Sequence, residues 1–179
     1  MNIGRIPAKT AMIAPNREAL VDVPNARRMS FGELEERICK LGNALTLELN
    51  LDKGDRVAIL SRNCIQYMEI MFASARTGLI ALPLNWRLSD TELLRVLSDG
   101  EPTVVFFSPE YAALASALTE QYSAARWIGF DDEGGSDYEQ WVGSMPSTEP
   151  VAALAVVGDD PALILYTGGT TGKSKGALH

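Results

Sequence analysis

Apolar positions along this chain recur in two alternating rhythms. Leu34, Ile38, Leu41, Leu45 and Leu49 follow one another at three- and four-residue steps, which puts them on one stripe of a helix running to about residue 50. That stretch opens on Ser30 with Glu33 three positions later, an S-x-x-E capping box in which each side chain satisfies an orphan backbone N–H of the other residue. Ahead of it, residues 19–22 and 28–30 flank the turn-rich VPNA and predict a small hairpin.

Short apolar runs and amphipathic stretches then alternate. DRVAILS, led in by the turn LDKGD, reads as a buried strand, and CIQYMEIMFASAR as a helix closed by Gly78. LIALPL is strand-like, with Pro83 at its end because proline cannot donate to a central ladder. Asn85 and Trp86 fit turn and packing roles. Ser89 and Glu92 repeat the capping box before TELLRVLSD, Gly100 ends that helix, and TVVFF is the next strand. Ser108 as N-cap and Pro109 at the first helical position start EYAALASALTEQY, followed by the strand-like RWIGF. DDEGGSD reads as a solvated acidic turn, and DYEQWVGS as a short helix. Residues 146–161, rich in Pro, Ala and Val, connect to one more strand, ALILYT. This order predicts an α/β fold over residues 1–179, a mostly parallel sheet with helices on both faces.

Composition narrows the function classes. The chain of 179 residues is 46% hydrophobic and 22% charged, as expected of a globular domain. Its formal net charge of -7 has the wrong sign for gripping nucleic acid, and it obliges any phosphate site to rely on local lysines and backbone N–H groups. The start is broken by Pro7 and Pro15 and does not read as a signal peptide; no apolar run approaches the ~20 residues of a transmembrane helix. Cys39 and Cys64, far apart, fit free thiols used in packing in a reducing, cytoplasmic compartment. A single histidine, His179, leaves no material for a Ser-His-Asp triad or a histidine metal site, and no metal ligands are predicted. Nor is the acidic turn a calcium loop, since Ser136 stands where an EF-hand starting at Asp131 needs glycine.

The chemistry concentrates in YTGGTTGKSKG, residues 166–176. Its glycines let ligand oxygens approach backbone N–H groups, its threonines add hydroxyl donors, and Lys173 and Lys175 add positive charge. Its place after a strand suits ligand binding beyond the carboxyl end of a parallel sheet. A Walker A loop, G-x-x-x-x-G-K-[ST], is missed by one residue, because five positions before Gly172 stands Thr167. On composition alone a phosphate cradle and a flexible Gly/Ser/Thr tail remain equally open.

The stretch resembles the phosphate-loop motif of the acyl-adenylate-forming enzymes, Y-T-S-G-T-T-G-x-P-K-G. Gly168 replaces its serine and Ser174 its proline, which removes one hydroxyl donor and one stiffening ring and predicts a loop that is mobile from about Gly168 onward when empty. DDPALILYT, MSFGELEERICKLGNAL and ARTGLIALPLNWRLSDTELLRVLSD are also similar to segments of that superfamily, in its order. The resemblance implies an acyl-CoA synthetase: MgATP and a carboxylate give an acyl-adenylate and pyrophosphate, and coenzyme A takes the acyl group. It implies that Thr167, Gly168, Gly169, Thr170, Thr171, Gly172, Lys173 and Gly176 bind the ATP phosphates and that Lys175 serves catalysis. It also implies that residues 1–179 are the first subdomain of a large N-terminal domain, with the adenine site, acyl pocket, magnesium ligand and C-terminal catalytic lysine further along a longer protein. His179 stands two positions before the family's usual histidine and receives no role. An inactive folded fragment or interaction module and an amino-acid adenylation module are the alternatives.

Overall fold

The computed structural model describes residues 2–131, 137–167 and 174–179. Its elements in chain order are α1 (Ile6–Ile13), β1 (Glu18–Asp22), β2 (Arg27–Ser30), α2 (Phe31–Asn43), β3 (Arg56–Leu60), α3 (Ile65–Thr77), β4 (Ile80–Pro83), α4 (Asp90–Gly100), β5 (Val104–Phe107), α5 (Ala112–Gln121), β6 (Arg126–Gly129), α6 (Asp137–Gly143), β7 (Ile164–Thr167) and β8 (Lys175–Leu178). Four strands form one parallel sheet in the order β4-β3-β5-β6, while β1–β2 and β7–β8 are antiparallel pairs.

Helices cover both faces of the parallel sheet. Side chains alternate along a strand, so Val57, Ile59, Val104 and Phe106 meet Leu34, Ile38 and Leu41 of α2 and Ile70 and Ala73 of α3. Ala58, Leu60, Leu82 and Val105 meet Leu93, Val96 and Leu97 of α4 and Leu118 of α5 on the other face. Each fully buried aliphatic side chain here contributes about 1.5–3 kcal/mol relative to exposure.

The capping boxes form. The Glu33 carboxylate accepts from the Ser30 N–H at 2.8 Å while Ser30 Oγ accepts from the Glu33 N–H at 3.3 Å, and Glu92 accepts from the Ser89 N–H at 2.9 Å. Gly78 closes α3 at φ 79°, and Pro83 ends β4. Asn85 accepts from the Arg87 N–H at 3.1 Å, and Trp86 lies between the guanidinium groups of Arg62 and Arg87, at 4.8 and 4.7 Å.

Several boundaries differ from the sequence reading. Residues 6–13 are helical because Pro7 stands in the first turn, where its missing N–H costs nothing. The stripe of α2 runs on through a π-helical turn, Ala44–Glu48. Gly100 is the last residue of α4, and Glu101 takes the left-handed conformation at φ 42°. Gly100 is needed instead for close packing, since a Cβ there would stand 2.8 Å from Leu82 Cδ2. Pro109 opens a 3-10 turn, Pro109–Tyr111, ahead of α5, and Ser108 makes no side-chain cap. The connection over residues 146–161 is pinned by Asn43, whose side chain donates to the carbonyls of Pro146 and Thr148 at 2.9 Å each. The acidic turn lies, but for Asp131 and Asp137, outside the described residues.

Two arginines, Arg76 fully and Arg37 partly buried, tie helices to distant segments. Arg76 of α3, fully buried, donates to the carboxylates of Glu35 and Glu149 and to the Gly4 carbonyl. Burial alone would pull its guanidinium down, but the two carboxylates hold it charged. Arg37 joins Glu69 at 2.9 Å and Glu139 at 2.8 Å in the same way.

Candidate functional site

ALILYT leaves the edge of the parallel sheet. The Ala81 N–H of β4 donates to the Ala162 carbonyl at 3.0 Å and Leu163 bridges Ala81 in parallel, so the strand shares the direction of β4 before it enters β7. There the pairing changes. Ile164, Leu165, Tyr166 and Thr167 stand opposite Leu178, Ala177, Gly176 and Lys175 in an antiparallel hairpin. His179 continues the pairing through its backbone, which exchanges hydrogen bonds with Leu163.

This hairpin presents the glycine-rich loop from the carboxyl end of β7. Of the phosphate-binding residues expected from the sequence, Thr167, Lys175 and Gly176 are described; Gly168, Gly169, Thr170, Thr171, Gly172 and Lys173 lie outside the described residues, as does most of the stretch expected to be mobile. Thr167 and Lys175 are register partners at the mouth of the loop, both exposed. No ion pair among the described residues occupies the Lys175 ammonium group. Ser174 Oγ donates to the Thr167 carbonyl at 3.0 Å across the same mouth. The serine that removes a proline ring therefore supplies a cross-strand hydrogen bond that proline cannot make.

Glycine at position 176 has a local cause. A Cβ there would stand 3.0 Å from Ile164 Cγ2 and 3.1 Å from Tyr166 Cζ, so the Tyr166 ring lies close over the bare backbone of β8. The Tyr166 hydroxyl donates to Asp99 of α4 at 2.5 Å. Partial burial, reinforced by the adjacent carboxylate, pushes that phenol well above its usual range and keeps the proton on it.

Chain direction after the loop separates this motif from a Walker A loop. A Walker A loop passes straight into a helix whose N-terminus faces the phosphate. Here the chain passes into strand β8, antiparallel to the strand it came from, in agreement with the one-residue mismatch in spacing.

Over residues 8–179 the sequence matches the family model of the AMP-binding enzymes. The chain belongs to that family. Long-chain-fatty-acid--CoA ligase FadD13 of Mycobacterium tuberculosis is 31% identical over 99% of this chain and 35% of its own length. Indoleacetate--CoA ligase of Aromatoleum aromaticum is 33% identical over 98% of this chain and 32% of its own length. Among solved structures, the inhibitor-bound N-terminal domain of FACL13 from Mycobacterium tuberculosis superposes with a TM-score of 0.88 at 31% identity, covering 99% of this chain and 44% of that one. The family member described here thus spans about a third of the length of the curated relatives it matches.

One feature outside the hairpin is not legible in the sequence. Glu35, Cys39 and Glu149 bring potential metal-ligand atoms within 4.8 Å of one another, but the Arg76 guanidinium bonds both carboxylates and lies 3.8 Å from the Cys39 sulfur, so a cation of the protein already fills the cluster. No helix among the described residues is long and apolar enough to cross a membrane.

Proposed function

We propose that residues 1–179 are the N-terminal α/β part of an AMP-forming acid–thiol ligase and that the β7–β8 hairpin holds the β- and γ-phosphates of ATP. The observation that carries this reading is the hairpin mouth, where Thr167 and Lys175 are register partners, Ser174 bonds across to Thr167, and no ion pair among the described residues occupies the Lys175 ammonium group, in a chain of the AMP-binding family.

In the reaction, a carboxylate oxygen attacks the α-phosphorus of ATP, the bond to the bridging oxygen breaks, and pyrophosphate leaves. Negative charge grows on that bridging oxygen, and preorganised N–H donors and a lysine stabilise it without reorganising. Thr167, Gly168, Gly169, Thr170, Thr171, Gly172, Lys173 and Gly176 hold the phosphates in this reading, and Lys175 meets the developing charge. The thiol of coenzyme A then attacks the acyl carbon and AMP departs. Neutral and cationic groups at the mouth suit phosphate oxygens and not a divalent ion, so no residue here is assigned to Mg2+. Fatty and aryl carboxylates are the substrate class, because the relatives named above are ligases of a long-chain fatty acid and of indoleacetate. Their names favour coenzyme A as the acceptor over an amino-acid adenylation module. A cytoplasmic location belongs to the same reading and is in keeping with two cysteines that form no disulfide.

Carboxylate-dependent ATP–pyrophosphate exchange tests this in a protein extended to the length of its relatives. A charge-assisted contact is worth about 1.5–3 kcal/mol, so Lys175→Ala lowers the exchange rate by roughly one to two decades while leaving the melting temperature in place. An unchanged exchange rate removes Lys175 from the phosphate site.

A further inference from the structure

The chain leaves β3 toward β4 on one side of the sheet and later places β5 on the other side. Beyond the carboxyl ends of strands flanking such a reversal an open parallel sheet leaves a crevice. Here it lies past Leu60 and Phe107, the paired ends of β3 and β5, as a cavity of about 630 Å³. No residue of β7 or β8 lines it.

Three observations converge on this cavity. The first is an unsatisfied hydroxyl. Phe106 points into one core cluster and Phe107 into the other, so Ser108, next in line, falls on the Phe106 side, where α3 packs. Ser108 is 4% exposed, lines the cavity, and its Oγ has no hydrogen-bond partner among the described residues. A buried hydroxyl left so is an uncompensated desolvation that a guest atom would relieve.

The second is Cys64, which lines the same cavity as N-cap of the 13-residue α3. Its sulfur accepts from the Tyr67 N–H at 3.4 Å and stands 3.7 Å from the Ser61 hydroxyl. The partial positive charge of a helix N-terminus favours thiolate over thiol. Cys39 is the contrast within the same chain: burial, and then the Glu35 carboxylate, push its thiol up to about 12.

The third is the division of charge on the cavity wall, with Arg62 as the cation and Glu110 and Asp131 among the anions. A guest carrying both an ammonium and a carboxylate matches that arrangement better than a simple anion does.

We propose that Cys64 is a covalent modification site that takes a small zwitterionic disulfide. The Cys64 thiolate attacks one sulfur of the guest, a new S–S bond forms as the old one breaks, and the other half leaves as a thiolate that takes up the proton Cys64 gave to solvent. The guest disulfide is itself the oxidant. Arg62 faces its carboxylate, Glu110 and Asp131 face its ammonium, and Ser108 gains a partner.

The test reacts cystine, whose halves each carry one ammonium and one carboxylate, and the neutral hydroxyethyl disulfide separately with the folded 179-residue chain and with the same chain in urea, and quantifies adducts on Cys39 and Cys64 by peptide mass mapping. With cystine, Cys64 of the folded chain reacts about tenfold or more faster than in urea, and Cys39 is protected. Hydroxyethyl disulfide shows a smaller folded-to-unfolded ratio at Cys64. Cys64→Ser removes the fast adduct. Equal rates in folded and unfolded chain, protection of Cys64 alongside Cys39, or equal ratios for the two disulfides each overturn the proposal.

Discussion

The Tyr166 hydroxyl donates to the Asp99 carboxylate at 2.5 Å, and through this bond the last strand before the glycine-rich loop is held to the end of α4. The same ring lies close over Gly176 on the partner strand. One tyrosine thus orders both sides of the loop's mouth. Tyr166→Phe keeps the ring and loses the bond. Because the pair is partly exposed, the expected cost is about 1 kcal/mol, below the usual value for a hydrogen bond to a charged group. Urea denaturation reads that loss, and amide exchange at residues 163–166 rises with it.

Arg76 is the most consequential single residue outside the core. Fully buried, it joins α3 to Glu35 of α2, to Glu149 and to the carbonyl of Gly4. Arg76→Met leaves the Glu35 carboxylate without its cation and Glu149 held by Arg5 alone, at an expected cost of about 3–5 kcal/mol. Adding Glu35→Gln to that variant restores part of the loss, because the uncompensated charge is gone. Equal denaturation midpoints for the single and double variants contradict this.

The capping carboxylates set part of the acid limit. The Ser30 N–H and hydroxyl hold the Glu33 carboxyl below its ordinary 4.5, and Ser89 does the same for Glu92. Between the depressed folded values and the ordinary one, the folded chain binds fewer protons than the unfolded chain. Stability therefore rises with pH across that interval, is fully present above 4.5, and is lost as pH falls through the folded values. Replacing both residues with glutamine keeps a capping side chain and removes the titration. Thermal midpoints measured from neutral to acid pH fall less steeply in that double variant than in the parent.

What the amino-acid pattern made legible was local. Ser30 with Glu33 and Ser89 with Glu92 sit three residues apart, and Gly78 needs only its own φ, so these elements declare themselves in a short window. The ion pairs of Arg76 do not, because its partners stand 41 and 73 positions away in sequence. Helix α1 was hidden by Pro7, which breaks a helix in its interior but suits its first turn. Strand β8 escapes the pattern because Lys175 and Gly176 read as the end of a loop, and all four residues of that strand are exposed, so no apolar alternation marks it. At the candidate site the residue types were legible in the motif. The cross-strand bond from Ser174 to Thr167 was not, since it depends on an antiparallel register that only the fold supplies.

In the proposed function the mouth of the β7–β8 hairpin holds the phosphates of ATP. Titrating tripolyphosphate into the isotopically labelled 179-residue chain, and following backbone amide shifts, tests it without requiring turnover. Saturable shifts at Thr167, Ser174, Lys175 and Gly176 that disappear in Lys175→Ala are the predicted result. Saturable shifts that avoid these four residues, or that persist unchanged in Lys175→Ala, contradict it.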